Sequence, residues 1–474
     1  MINIEEITIS RFHEMLELGE ITCERLVSAY LERIEQFDRR GPRINSIITV
    51  NPNALNEARE LDVCYKSGKK RAPLYGVPVL LKDNCETRDI ATTAGSVCLD
   101  GWITGRDAEI VTLLKDAGAI ILAKTNLHEF ALWGETFSTL QGQTLNPYDL
   151  SRTPGGSSGG TGAALAANFG LVGIGTDTVN SIRSPASANA LCGIRPTTGL
   201  VSADGIVPYS NSQDTAGPMA RTVEDAVRVL DVIVKKEHRP THFTDHLRSD
   251  GLTGKRLGCL KSFWGTGESS YPVNGVIDSA MEALKEAGAE LVALDDNIDS
   301  AWLAQEVSVH MYELKVHLGE YLASFKGKAP VSSVGEMLTS GKCAQSVADL
   351  LSKANALNID SPDYVDRLQK VEAVRLKLLD IMTLNNLDAI IYPHQQQLVC
   401  KIGESQGQRN GVLASVIGWP SIAVPAGFSA PDEHAAIGVP IGLEIIGRPH
   451  DEAVLIEIAY GFERAGAFRR SPRL

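Results

Sequence analysis

Gly170-Leu-Val-Gly-Ile-Gly-Thr-Asp-Thr-Val-Asn-Ser-Ile-Arg-Ser-Pro-Ala186 runs from an apolar stretch directly into small polar residues. This is the pattern of a strand that ends in a tight turn and opens a helix. In that reading Asp177 and Ser181 stand where side chains cap a helix start, and Arg183 is a structural ion partner. Working outward, similar short apolar runs recur at Gly76 to Leu81, Ala119 to Ala123, Arg256 to Leu260, Ala389 to Tyr392, Ser421 to Val424 and Val439 to Ile446. Helical patterns lie between them, so an α/β fold with helices layered on a sheet is expected.

The amino-terminal part, about residues 1–65, reads as a helical layer. Ser10 and Thr22 are placed as caps, and Leu26, Val27, Tyr30, Leu31 and Ile34 share one helical face. From Trp302 to Leu384 strand signals are few and helix formers many, Leu368 to Met382 among them. Residues 300–385 are therefore expected to be a mostly helical, substrate-determining insertion, with Ser332 to Ser346 as candidate loops. No Pro/Gly/Ser-rich linker and no repeat divides the chain, which favours a single domain over residues 1–474.

Composition narrows the function. The chain is 43% apolar and 22% charged, with no apolar run long enough to span a bilayer. A formal charge of -13, without a compact basic stripe, disfavours nucleic acid as a ligand. The eight cysteines form no C-x-x-C pair, and neither a zinc site nor a redox dithiol is indicated. Met1 to Glu17 is acidic and lacks a secretory signal pattern. Free thiols, a cytoplasmic location, and no metal or cofactor are expected.

Two further segments carry polar groups that a plain core would not need. In Gly76-Val-Pro-Val-Leu-Leu-Lys82-Asp-Asn84 a lysine ends an apolar strand. Taken alone, it reads better as a side chain emerging into solvent at the strand end. If buried, its charge is disfavoured. An ordinary lysine is only about one part in a few thousand neutral at pH 7, and roughly 4 kcal/mol of differential solvation would make it a competent base. Thr153-Pro-Gly-Gly-Ser157-Ser158-Gly159-Gly160-Thr161-Gly162 leads into the alanine-rich Ala163 to Ala167. Its glycines would let backbone amides at a helix start approach a ligand. Gly155-Gly-Ser157-Ser-Gly159 also fits the G-x-S-x-G nucleophile elbow, for which His394, His434 or His450 would have to serve. The preceding Asn146 to Pro154 is turn-rich, however, where an elbow needs a strand.

Together the three segments resemble the amidase signature family, which shares a Gly-Gly-Ser-Ser-Gly-Gly run, a later Asp-x-Gly-Gly-Ser-Ile-Arg run and an upstream Val-Pro-x-x-x-Lys-Asp. The order and the spacing from Ser157 to Ser181 fit. Likeness continues through Gly193 to Gly199, Gln213 to Pro218 and Pro440 to Pro449. The resemblance implies a central mixed twisted sheet covered by helices on both faces. It implies Ser181 as nucleophile, Ser157 as relay and Lys82 as base in a seryl acyl-enzyme mechanism. It also implies a cis peptide between Gly156 and Ser157 and an oxyanion hole from the backbone N–H groups of Thr178, Val179, Asn180 and Ser181. One departure stands out: Val179 and Asn180 replace the family's two glycines, and a positive φ at the β-branched Val179 would be costly.

The substrate class implied is a small-molecule carboxylic amide, or a related carbamate or urea-type C–N compound. Ala131, Trp133, Gly156 and Tyr312 are candidate substrate-binding residues. Trp302 and His317 are further pocket candidates at positions that are more often ordinary core, and Gln395 to Gln397 are others for which a surface loop is the safer reading. Two other functions compete: a glutaminase-type subunit of a transfer-RNA amidotransferase, and a noncatalytic binding protein on the same scaffold. A homodimer is left open.

Overall fold

The structure, a computed structural model, describes residues 3–66, 72–238, 241–295 and 297–474. Met1 and Ile2, where the acidic amino end begins, lie outside the described residues. The strands in chain order are β1 (Ile47–Val50), β2 (Pro78–Lys82), β3 (Ile120–Thr125), β4 (Phe137–Ser138), β5 (Gly142–Gln143), β6 (Val172–Asp177) and β7 (Cys192–Arg195). They continue as β8 (Thr215–Ala220), β9 (Arg256–Leu260), β10 (Glu290–Leu294), β11 (Ala389–Pro393), β12 (Ser421–Phe428) and β13 (Pro440–Ile446). Eleven of these form one mixed sheet in the order β1-β3-β2-β6-β8-β7-β12-β13-β11-β9-β10, flanked by helices, and β4 pairs with β5 separately.

All seven apolar runs read as strands lie in this sheet. Strand β2 pairs in parallel with both β3 and β6, whereas β6 pairs antiparallel with β8. The parallel pairing of β2 and β6 brings Lys82 and Asp177 to the same end of the sheet, outside the carboxyl ends of the strands, where open α/β sheets bind ligands. Every residue of β2, β3, β6, β7 and β8 is buried.

The glycine-serine run enters the helix Gly159–Ala166, all of whose residues are buried. Close approach explains its composition: a Cβ on Gly160 would stand 2.2 Å from the Asn126 carbonyl oxygen, and one on Gly173 of β6 2.6 Å from Thr161. Small residues let this helix lie against β2 and β6 closely enough to place Ser157 over the strand ends.

Helices Ile9–Glu17, Cys23–Arg33 and Ala54–Lys66 form the amino-terminal layer, with Thr8 and Thr22 as side-chain caps of the first two. The cap expected at Ser10 is therefore Thr8, and Ser10 instead donates to Glu224 at 2.7 Å. Between 300 and 385 the helices are Ser300–Trp302, His310–Ser324, Val334–Ser340, Gln345–Ala356 and Pro362–Leu384. Leu314, Leu318, Leu322, Val334, Met337, Val347 and Leu351 cluster with Trp102, Phe130, Leu132 and Tyr209 of the preceding chain. The expectation of loops over Ser332 to Ser346 is corrected by the helix Val334–Ser340, which is capped by Ser333 and ended by Gly341 at φ 65°. Its buried Val334 and Met337, three apart on one face, supply the packing that its polar residues conceal. No described helix is long and apolar enough to cross a membrane. None of the eight cysteines is in a disulfide.

Candidate active site

Two lysines are fully buried side by side on β2 and β3, and they are held differently. Lys124 faces the carboxylate of Asp83 at 2.9 Å. Lys82 instead makes hydrogen bonds to the Ser157 hydroxyl at 2.8 Å, the Thr176 hydroxyl at 2.9 Å and the Thr176 carbonyl at 3.4 Å. With only neutral oxygens in contact, burial dominates and brings the Lys82 amine down to about 7, against the weaker opposing pull of Cys85, Asp177 and Asp214. A lysine with this environment is half neutral at neutral pH and can accept a proton.

Ser157 is fully buried and follows a cis Gly156–Ser157 peptide. Its carbonyl accepts from the His128 backbone N–H at 3.0 Å. Ser158 donates its N–H to the carbonyl of Ser181 at 3.2 Å, which joins the two serine segments through the backbone. No direct hydroxyl–hydroxyl hydrogen bond links Ser157 to Ser181 among the described residues; such bonds commonly tighten only when substrate is in place.

The turn from Thr178 to Ser181 has its carbonyls committed and its amides free. The Thr178 carbonyl accepts from Gln213 Nε2 at 3.0 Å. That of Val179 accepts from Ser415 at 2.6 Å and Arg183 at 2.9 Å, and that of Asn180 from the Ser184 N–H at 2.7 Å. None of the four N–H groups at 178–181 donates to an acceptor among the described residues. The residues of this turn also line the cavity described below. Neither Val179 nor Asn180 has a positive φ, so replacing two glycines by these residues imposes no left-handed strain here.

Beneath the turn lies a buried ion network. Asp177 receives the Ile182 N–H at 3.0 Å, Arg183 at 3.1 Å and Arg195 at 3.1 Å. Burial pushes its carboxyl up, but Arg183 and Arg195 outweigh this and hold it well below the usual carboxylate range. Asp177 is thus an ion partner, as its sequence position suggests, but neither it nor Ser181 caps the helix Arg183–Ala188, whose N-cap position is Ile182 with no side-chain cap bond, because the Asp177 carboxylate is spent on Arg183, Arg195 and the Ile182 N–H. Arg183 also pairs with Glu444, which in turn bonds His394 Nδ1 at 2.7 Å. Asp177→Asn should leave two buried guanidinium groups short of charge and cost about 3–5 kcal/mol, read as a lower urea midpoint at unchanged slope.

A cavity of about 690 Å³ opens onto Thr178, Val179, Asn180 and Ser181. Ala131 and Trp133 form part of its wall. Tyr312 does not line it: its hydroxyl bonds Asp363 and its ring lies against Tyr364 and Arg367. Gly156 is buried behind the site, where a Cβ would stand 2.6 Å from the Thr136 hydroxyl. Trp302 is exposed, while its neighbours Ser300, Ala301 and Ala304 reach the cavity. Of the three glutamines, Gln396 alone lines it. His317 faces a smaller neighbouring cavity of about 190 Å³.

Several wall residues escape sequence reasoning. Arg409 stacks over Trp133 at 5.0 Å and pairs with Glu135 at 3.0 Å. His310 and Met311 arrive from the start of a helix in the insertion, and Leu350 and Lys353 from another. The elbow alternative finds no partner for Ser157 among the described residues: none of His394, His434 and His450 bonds its hydroxyl, which meets Lys82 instead, while His394 is engaged by Glu444 and His434 is exposed.

A family model described as Amidase matches residues 25–456. A glutamyl-tRNA(Gln) amidotransferase subunit from Thermoanaerobacter pseudethanolicus is 31% identical, over 98% of each chain, and its counterpart from Halorhodospira halophila is 32% identical, over 96% of each. Among solved structures, native peptide amidase from Stenotrophomonas maltophilia superposes with a TM-score of 0.90 at 36% identity, covering 99% of both chains. An amidase family protein from Bacillus anthracis superposes with a TM-score of 0.86 at 31% identity, covering 99% of this chain and 93% of that one.

Proposed function

The chain belongs to the amidase family, a hydrolase of C–N bonds, and on that premise we propose that it cleaves carboxylic amides through an acyl-enzyme on Ser181. Ser157 relays the Ser181 hydroxyl proton to neutral Lys82 while Ser181 Oγ attacks the carbonyl. The oxyanion gathers the free amides of 178–181. Collapse returns the proton through Ser157 to the departing amine, and water then repeats the sequence to release the acid. Carbamates and urea-type compounds are the neighbouring substrate classes. The observation that carries this reading is a fully buried Lys82 amine bonded to the Ser157 hydroxyl at 2.8 Å, with no carboxylate among the described residues in contact to keep it charged.

Residues 1–474 act in this proposal as one amidase domain, with the helices of about 300–385 setting substrate choice. A cavity of about 690 Å³ falls in the range of roughly 300–1,000 Å³ that suits drug-sized ligands. Free glutamine would fill a fraction of it, so amides of extended acyl groups, terminal peptide carboxamides included, are the favoured substrates. Cysteines held outside disulfides suit a reducing compartment such as the cytoplasm.

A second reading, a glutamine-hydrolysing subunit of a transfer-RNA amidotransferase, is favoured by full-length relatives of that name at 31–32% identity. One panel separates them. Purified alone, the protein should release ammonia from N-acetyl-phenylalaninamide faster than from glutamine. Glutamine turnover that appears only with a companion subunit would decide for the second reading, and no acyl-enzyme with any amide, ester or carbamate would decide for a noncatalytic protein.

A further inference from the structure

Gln213 is almost completely buried and lies between the oxyanion turn and the helical insertion. Its Nε2 donates to the Thr178 carbonyl at 3.0 Å, and its Oε1 accepts from the Ser308 hydroxyl at 3.0 Å and the Val309 N–H at 3.0 Å. The Val309 N–H can only donate and the Thr178 carbonyl can only accept, so the amide has one satisfied orientation. Beyond Ser308 the chain of bonds reaches His310, whose Nδ1 stands 2.6 Å from the Ser308 hydroxyl. With the proton on Nδ1, each group donates to the next, from His310 through Ser308 and Gln213 to the Thr178 carbonyl.

Both ends of this chain touch the cavity. Ser308 and Val309 are flanked by wall residues, Ala304 and Gln305 before them and His310 and Met311 after. At the other end, the Thr178 carbonyl sets the plane of the peptide whose N–H belongs to Val179, one of the four free amides. The Thr178 hydroxyl is fixed separately by Asp214 at 2.5 Å; among the described residues Gln213 is the hydrogen-bonded link from this peptide to the insertion, beside the apolar packing of Val179 against the cluster that holds Leu303 and Val307.

We propose that Gln213 is a positioning residue that transmits filling of the acyl cavity to the oxyanion hole, so that long acyl groups gain in kcat rather than in affinity alone. This rests on the amide-hydrolysis reading of the Ser181 site. It is the arrangement by which binding energy remote from the reacting bond is used in the transition state. A small acyl group that leaves Ala304, Gln305, His310 and Met311 untouched draws nothing from it.

The test compares acetamide with N-acetyl-phenylalaninamide in the wild type, Gln213→Met and Ser308→Ala. In Gln213→Met, kcat for the long amide should fall about 10- to 100-fold, with KM within about 3-fold, and acetamide should lose less. Ser308→Ala should shift the long-to-short kcat ratio the same way by a smaller factor, because Val309 still holds Gln213; it also decides the matter if Gln213→Met does not fold. Phosphonylation of Ser181 by methyl and dodecyl fluorophosphonates, which needs no amide turnover, should show the same narrowing of the long-to-short ratio. Equal losses for long and short reagents, a change confined to KM, or an unchanged ratio would overturn the coupling. A wild type that is labelled at Ser181 yet cleaves no amide counts against the proposed reaction and leaves the labelling ratios to judge Gln213. No labelling of the wild type sinks both.

Discussion

Ser181→Ala should abolish amide turnover, with a loss of about 10⁴- to 10⁶-fold in kcat, while the protein remains folded. The residue lies at the cavity floor with its backbone fixed by Ser158, and removing one hydroxyl leaves those contacts intact. Lys82→Ala should cost a similar factor, and the double variant should be little worse than either single one, because nucleophile and base act in one step. The check is steady-state ammonia release together with mass-spectrometric detection of the acyl or phosphonyl adduct. A Ser181→Ala protein that still turns over and still takes the label would place the nucleophile elsewhere.

The second large effect is on pH dependence. Only the neutral Lys82 amine can take the proton, and its environment brings it to about 7. kcat/KM should therefore rise about tenfold per pH unit below 7 and level off above about 8, reporting the free enzyme. Stability follows the same group with a definite sign. The unfolded chain holds a proton on this lysine up to its ordinary value near 10.5, while the folded chain releases it near 7. Between those values the unfolded state binds more protons, so the Lys82 contribution destabilises the fold most below pH 7 and fades as pH rises to 10.5. Lys82→Met should accordingly gain stability over the wild type at pH 6 relative to pH 10, even as it loses activity. A rate that goes on rising tenfold per unit through pH 9, or a stability gain that does not depend on pH, would show that the amine is charged in the folded enzyme at neutral pH, and a flat profile across pH 6–8 would remove Lys82 as a base titrating near 7.

Seven strands were legible because each is a short apolar run bounded by turn residues. Of the four missed in the main sheet, β1 (Ile47–Val50) and β10 (Glu290–Leu294) carry the same short apolar pattern and were legible in principle, whereas β7 and β8 are interrupted by glycine or proline. Thr215-Ala-Gly-Pro-Met-Ala220 reads as a turn by its glycine and proline, yet it pairs along its length with β6. Its small residues are required by crowding: a Cβ on Gly217 would stand 2.1 Å from the Ile194 carbonyl oxygen of β7. β-propensity is a weak guide where tertiary packing sets the allowed side-chain size. Tyr312 failed as a pocket residue for a related reason. An aromatic in the insertion looks the same in sequence whether its hydroxyl meets a substrate or Asp363.

The chemistry of the three segments, a lysine closing an apolar strand, a serine in a glycine run and a serine after a strand end, is local in character and could be read from residue order alone. Their meeting could not. It depends on the parallel register of β2 with β6 and on a glycine-lined helix close enough to set Ser157 against Lys82. The cavity wall, from Trp133 and Arg409 to His310 and Lys353, and the Gln213 strut are assembled from segments far apart in the chain. Such long-range contacts follow from burial and pairing of the whole sheet with its insertion, which residue order within any one segment does not encode.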